Sequence, residues 1–203
     1  MNKLHKRIFD IAYKNKVSHI GSYISSVDII ESIYREKQED DIFILSCGHA
    51  ALALYVVMEK YEGINAEYLF NKHGGHPHYS LEDKIYCSTG SLGLGITIAC
   101  GRALSKKDSK VFVLISDGEC AEGSVWESLR FIYDQNISNI SVHVNMNGYA
   151  AYDMIDKNYL SNRLRSFLPT INIHETNCDA YPFLKGINAH YHIMTDSDYK
   201  GLI

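Results

Sequence analysis

Paired cysteines are missing. The five present, Cys47, Cys87, Cys100, Cys120 and Cys178, are odd in number and form no CxxC. That argues against a disulfide framework or a zinc site and favours a reducing, cytoplasmic setting. Proline is scarce, with three in 203 residues, and no low-complexity linker interrupts the chain. Residues 1–203 therefore read as one domain without an internal boundary or repeat. No apolar run approaches the roughly 18 residues that a membrane-spanning helix needs. The start, Met1 to Arg7, leads into an amphipathic segment rather than a signal core. Positive charge is not in excess either. The formal net charge is −4, so neither nucleic acid nor a membrane is an expected partner.

What is present is ordinary globular material, 46% hydrophobic and 22% charged. Leu4, Ile8, Ile11 and Ala12 share one helical face, predicting a helix over 3–15. Ser25-Ser-Val-Asp28 ahead of Ile-Ile-Glu-Ser-Ile-Tyr predicts a capped helix start. A short strand is expected at 41–46, a helix at 50–61 and a Gly- and His-rich loop at 71–80. Ser91 to Ala103 predicts a closely packed helix with glycines at 93, 95 and 101. The apolar runs 111–115 and 140–144 flank a helical pattern at 122–134, a βαβ unit with a parallel strand pair. Another strand is expected over 170–175. The alternation predicts an α/β domain, a doubly wound, mostly parallel sheet with helices on both faces and its site at the carboxyl ends of the strands.

Asp117-Gly118-Glu119 follows the first of those runs, and Asn147 follows the second. Two oxygen-bearing side chains at neighbouring strand ends suit a hard cation such as Mg²⁺, which takes part of its shell from a phosphate. Gly118 lets its amide approach a phosphate oxygen closely, and the helix after it directs further amides there. The same residues also read as a strand-end turn beside an unrelated Asn. Ser88-Thr-Gly-Ser-Leu-Gly-Leu-Gly95 is either a phosphate cradle or a helix cap before a packed helix. Of ten histidines, His19, His49, His76 and His190 stand in polar or Gly-flanked contexts suited to proton transfer or to holding oxyanions. Glu119, Glu122 and Glu127 surround Trp126, where acids also simply suit a helix start.

These segments, in order, resemble the N-terminal, diphosphate-binding domain of transketolase. Ser18-His-Ile-Gly-Ser22, Leu45-Ser-Cys-Gly-His-Ala-Ala-Leu-Ala-Leu-Tyr55, Gly75-His-Pro77 and Ser88–Gly95 are similar to four motifs of that family. Ser116-Asp-Gly-Glu-Cys-Ala-Glu-Gly-Ser-Val-Trp-Glu127 resembles its GDGExxEGxVWE signature, Val144-Asn-Met-Asn-Gly148 its VDxNG, and Lys185–Tyr199 a shortened tail. Ser116 stands where the signature has Gly, and Asn145 where VDxNG has Asp.

The resemblance implies thiamine diphosphate as cofactor in a thiamine diphosphate-binding fold, with Mg²⁺ held by Asp117, Asn147 and the Tyr149 carbonyl. It implies that His49, Gly118 and His190 meet the diphosphate, with Glu119 in the same cofactor-binding set, and that Gly90, Ser91 and Leu92 line the cofactor. His19, His76, His190 and Glu122 become catalytic candidates, the first two at the sugar end, while Glu122 and Glu127 match acids that couple paired sites. The family's pyrimidine-binding and C-terminal domains would sit on a partner subunit, in an α₂β₂ heterotetramer acting on sugars or sugar phosphates. The implied activity is transfer of a two-carbon ketol unit from a ketose to an aldehyde. Related acyloin-forming or decarboxylating synthases, and a non-catalytic paralogue, are the alternatives.

Overall fold

Alternation along one strand sets out the architecture. In β2 (Val111–Ser116), Val111, Val113 and Ile115 face one core while Phe112 and Leu114 face another. The computed structural model describes residues 2–202. β2 lies inside a four-stranded sheet ordered β1-β2-β3-β4, with β1 Ile42–Leu45, β3 Ile140–Met146 and β4 Asn172–Glu175. Every pairing is parallel; Leu45 pairs with Leu114, Ser116 with Asn145, and Met146 with Glu175. The carboxyl ends of the strands are thus brought level, as an α/β site requires.

Helices cover both faces. One core receives α1 (Lys3–Asn15), α2 (Ile20–Glu36), α3 (Ala51–Tyr61) and α4 (Ala66–His73). The other receives α5 (Leu94–Ser105), α6 (Gly123–Asp134) and α7 (Lys157–Phe167). On α1, the residues that predicted the helix, Leu4, Ile8, Ile11 and Ala12, are all buried; a fully buried Leu or Ile contributes about 1.5–3 kcal/mol relative to exposure. The chain ends in two short helices, α8 (Asn188–Tyr191) and α9 (Asp196–Lys200). Tyr199 of α9 stacks on Tyr13 of α1 at 4.2 Å, and their hydroxyls donate to Asp10 and Asp196 respectively, each at 2.7 Å. No described helix is long and apolar enough to cross a membrane.

The structure shifts several sequence-based boundaries. Ser25–Asp28 does not start a helix but lies inside α2, which begins at Ile20 after His19 adopts the left-handed region at φ 67°. The serines that resemble a cap instead accept from the Asn145 amide, at 2.9 Å for Ser25 and 3.0 Å for Ser26, and a Cβ on Gly21 of the same helix would stand 2.7 Å from the Ala189 Cβ. Residues 71–73, expected as loop, finish α4, which Asn65 caps by accepting from the Tyr68 N–H at 2.9 Å. Residues 91–93 form a turn before α5, because Gly93 sits at φ 77°. Residue 122 precedes α6, after a single 3₁₀ turn over Gly118–Ala121. β4 starts at Asn172, two residues later than expected. Beyond Asn147, where the periodicity is weak, α7 forms on two buried leucines, Leu160 and Leu164. At the opposite end of the sheet, the Asn139 Nδ2 lies 3.0 Å from the carbonyls of Ala103, Lys106 and Ser109, closing the turns there.

Candidate functional site

Asp117 follows β2 directly and is buried, at 2% exposure. Its two carboxylate oxygens accept only backbone amides, from Gly148 at 2.6 Å and Gly118 at 3.0 Å. Burial pushes its pKa up to about 6, against the pull of the Gly148 and Gly118 amides. A buried carboxylate with no cationic partner is costly. Asn147 stands across the strand ends, its Oδ1 accepting from the Tyr149 N–H at 2.9 Å. A Cβ on Gly118 would meet the Ala150 Cα at 3.5 Å and the Tyr149 carbonyl oxygen at 3.8 Å. Asp117, Gly118, Asn147 and the Tyr149 carbonyl therefore form one cluster.

Glu119 takes a different place from the cluster. It is fully buried, and its Oε1 accepts from Ser46 Oγ at 2.7 Å and the Gly93 N–H at 2.9 Å. Its Oε2 accepts from the Ser116 N–H at 3.0 Å, and the Ser116 Oγ accepts from the Glu119 N–H in return. The Ser that replaces the motif glycine thus closes the turn with its own hydroxyl. Glu119 ties the ends of β1 and β2 to the 88–95 loop. Glu122 is exposed, its Cβ beside Gly93, and Glu127 is exposed on α6.

The 88–95 loop lies against the end of β1. A Cβ on Gly48 would stand 2.7 Å from Thr89 backbone, and one on Gly95 2.5 Å from the Ser46 Cα. Gly90 abuts the His76 ring, with Ser91 and Leu92 next in the turn. The Thr89 hydroxyl is buried and has no protein partner.

Four histidines separated in sequence meet in space. The ring centroid of His19 is 4.3 Å from that of His190, 5.9 Å from His49 and 6.3 Å from His76. His49 and His190 are 5.7 Å apart. Burial and neighbouring imidazoles push His49 down to about 3 and His19 down to about 4; burial also lowers His190. These three rings are neutral at pH 7, each with one N–H to donate and one lone pair to accept. Five of the other six pair elsewhere: His143 with His174 at 2.9 Å, His73 with Asp83 at 2.9 Å, His192 with Asp198 at 2.9 Å and His5 with the Tyr181 hydroxyl at 2.7 Å.

A cleft reaches both groups at their edges, lined by Gly21, Ser22, Asn147, Tyr149 and His190 among others. Its remaining wall, Asn177, Cys178 and Asp179 with the Gly186–Ala189 segment, is not apparent in the sequence. Neither are the partners of Asn145. That side chain, 1% exposed, donates to Ser25 Oγ at 2.9 Å and Ser26 Oγ at 3.0 Å, and accepts from Thr176 Oγ1 at 2.5 Å. The available signal was the run of small residues, Gly21, Ser22, Ser25 and Ser26, on one helix.

The residues fit a metal-bridged diphosphate. Asp117 is a buried carboxylate whose hydrogen bonds come only from backbone amides, and Gly118, without a Cβ, offers close approach. No group of three or more His, Cys, Asp or Glu among the described residues could hold a metal alone. A hard cation here must complete its shell from Asn147, a carbonyl and the ligand's own oxygens.

Residues 3–156 match the family described as transketolase, thiamine diphosphate binding domain, and the chain belongs to that family. It is 30% identical over 165 residues to one of the subunits of the apulose-4-phosphate transketolase of Phocaeicola vulgatus, covering 71% of this chain and 58% of that one. It is 40% identical over 116 residues to the mouse transketolase-like protein 2, covering 52% of this chain and 18% of the relative. The chain spans less than two thirds of the length of either. Among solved structures, a transketolase variant from Pichia stipitis in complex with fructose-6-phosphate superimposes with a TM-score of 0.73 at 18% identity, over 92% of this chain and 37% of that one. The Campylobacter jejuni transketolase gives a TM-score of 0.68 at 16% identity, over 94% and 40%. Those two likenesses establish the α/β fold.

Proposed function

We propose that this chain is one half of a two-chain transketolase that moves a two-carbon ketol unit from a ketose to an aldehyde. The observation that carries the proposal is the single cleft that has Asn147 and Tyr149 on one wall and His190 on another. In this reading Asp117, Asn147 and the Tyr149 carbonyl would hold Mg²⁺, and the Gly118 segment would meet the diphosphate. Thiamine diphosphate, when bound, supplies the carbon nucleophile and the electron sink for carbon–carbon cleavage.

This chain's own part is positioning and proton handling. His49 and His190 offer N–H groups to the anionic end. His19 and His76 stand where a sugar's hydroxyls would arrive, and His19, held neutral by burial, accepts or donates a proton at a ring nitrogen. Exposed Glu122 and Glu127 suit a contact with another polypeptide better than a contact with substrate. The relative from Phocaeicola vulgatus is named as one lettered component of a sugar-phosphate transketolase, which supports both a partner chain and a phosphorylated sugar substrate. The partner would carry the pyrimidine-binding domain, in an α₂β₂ assembly. The five cysteines are all unpaired, which supports a cytoplasmic setting.

The test is a ketol-transfer assay on the chain alone and on the chain purified with its partner. Activity in the pair and none in the single chain is expected. Robust transfer by the single chain overturns the two-chain reading.

A further inference from the structure

Three of the four segments that line the cleft are Gly21 and Ser22 of α2, Asn147 and Tyr149 after β3, and Asn177 to Asp179 after β4; the fourth runs from Leu184 to His190. Each of the first three is fastened to the same side chain within a few residues. Ser25 and Ser26, one helical turn beyond Gly21 and Ser22, accept from the Asn145 amide at 2.9 and 3.0 Å. Asn145 itself precedes Asn147 by two residues. Thr176, immediately ahead of Asn177, donates to the Asn145 Oδ1 at 2.5 Å, and its N–H also donates to the Met146 carbonyl at 3.2 Å.

We propose that Asn145 is a positioning residue that sets the spacing of the three walls, and through it the affinity for the metal–diphosphate pair; this rests on the cofactor reading above. An amide suits the junction because it presents donors on one side and an acceptor on the other. The helix side of the junction is dry, with Ser25, Ser26 and Asn145 at 4%, 1% and 1% exposed, while Thr176 is half-buried. On the dry side water does not readily replace a missing partner, and an unpaired hydroxyl is expensive enough to move its element. The walls then shift relative to Asn147 without any cofactor-contacting group having been removed.

The experiment is calorimetry of thiamine diphosphate binding in Mg²⁺, on the full chain with the partner it carries, beside thermal unfolding of the same samples without cofactor. Asn145→Leu keeps the branched outline of the side chain, with some added bulk, and removes all three bonds; affinity is expected to fall by about tenfold or more, the scale seen when a group that orients a metal ligand is lost. Asn139→Ala is the comparison. It removes an amide that closes turns at the far end of the sheet, and is expected to lower the unfolding temperature with affinity unchanged. Should Asn145→Leu not fold, Thr176→Val removes one bond of the three and is expected to weaken binding in the same direction. Wild-type affinity in the variant that folds overturns the inference. So does a loss in Asn139→Ala that tracks its unfolding temperature as closely as the loss in the junction variant does. A wild type that binds no thiamine diphosphate brings down the cofactor reading, and this inference with it.

Discussion

The backbone N–H of His19 donates to the carbonyl of His190, 2.9 Å away. Residues at opposite ends of the chain are thereby joined at the start of α2, where His19 holds a left-handed conformation that costs about 1 kcal/mol or more for a non-glycine residue. The tail segment around α8 repays this by placing the His190 ring beside His19, His49 and Tyr191. The site depends on that seam.

Gly21 is where the seam is tightest. A Cβ there would lie 2.7 Å from the Ala189 Cβ and 3.1 Å from its carbonyl oxygen. Gly21→Ala is expected to push α8 outward, destabilise the fold by about 1–3 kcal/mol, and weaken cofactor binding because His190 moves with the helix. Urea unfolding and calorimetry check it. A variant with wild-type values in both would show that the seam yields freely.

Asp117→Ala is expected to abolish Mg²⁺-dependent binding of thiamine diphosphate. Because burial raises the Asp117 pKa to about 6, protons compete with the cation, so wild-type affinity should decline as pH drops below about 6. The ionised carboxylate is disfavoured in the empty fold. This group's contribution to apo stability therefore falls as pH rises from its unfolded value of about 3.9 through the folded one. Asp117→Asn should flatten that trend, measured by unfolding at pH 4 to 7 without metal. Unchanged Mg²⁺-dependent affinity in Asp117→Ala would rule out the ligand role.

His49 acts with the opposite sign. Its folded pKa, about 3, lies below the unfolded value of about 6.5, so the folded state binds fewer protons between them. The stability it contributes is complete above about pH 6.5 and is lost as pH falls toward 3. His49→Gln is expected to lose less stability than the wild type between pH 7 and 5. Parallel unfolding curves for the two would contradict the neutral-cluster picture.

Gly93 sits at φ 77°, and a Cβ on it would overlap the Ser124 Oγ and stand 2.8 Å from the Glu122 Cβ. Gly93→Ala adds left-handed strain to overpacking, each costing on the order of 1–3 kcal/mol. A clear drop in the unfolding midpoint is expected. A midpoint within experimental error of the wild type would mean that the 88–95 loop is held more loosely than Glu119 implies.

The sheet, and the placing of Asp117 and Asn147 at its strand ends, were legible because local pattern decided them. Val111–Ile115 and Ile140–Val144 are apolar runs at strand length, and Asp117 and Asn147 fall at their ends. The start of α2 was not legible, because Gly21, Ser22, Ser25 and Ser26 are small for a tertiary reason: Ala189 and Asn145, more than a hundred residues away, press against them. The four histidines stand out singly, but their meeting depends on loops from both halves of the chain. Asn145 is visible as a departure from VDxNG, yet its partners Ser25, Ser26 and Thr176 share no sequence pattern with it. Residues 177–190 had no periodicity to read, since they are held by contacts such as the Cys178 thiol on the Gly21 carbonyl rather than by a long helix or strand of their own.

Bare α-carbons at Gly48 and Gly95 rest on the backbone of Thr89 and Ser46, with Glu119 locking the same two loops from below. The 88–95 loop is therefore fixed by close backbone packing before anything binds. Ordering it on association costs little conformational entropy, so a ligand that meets Gly90 to Leu92 meets a preorganised surface.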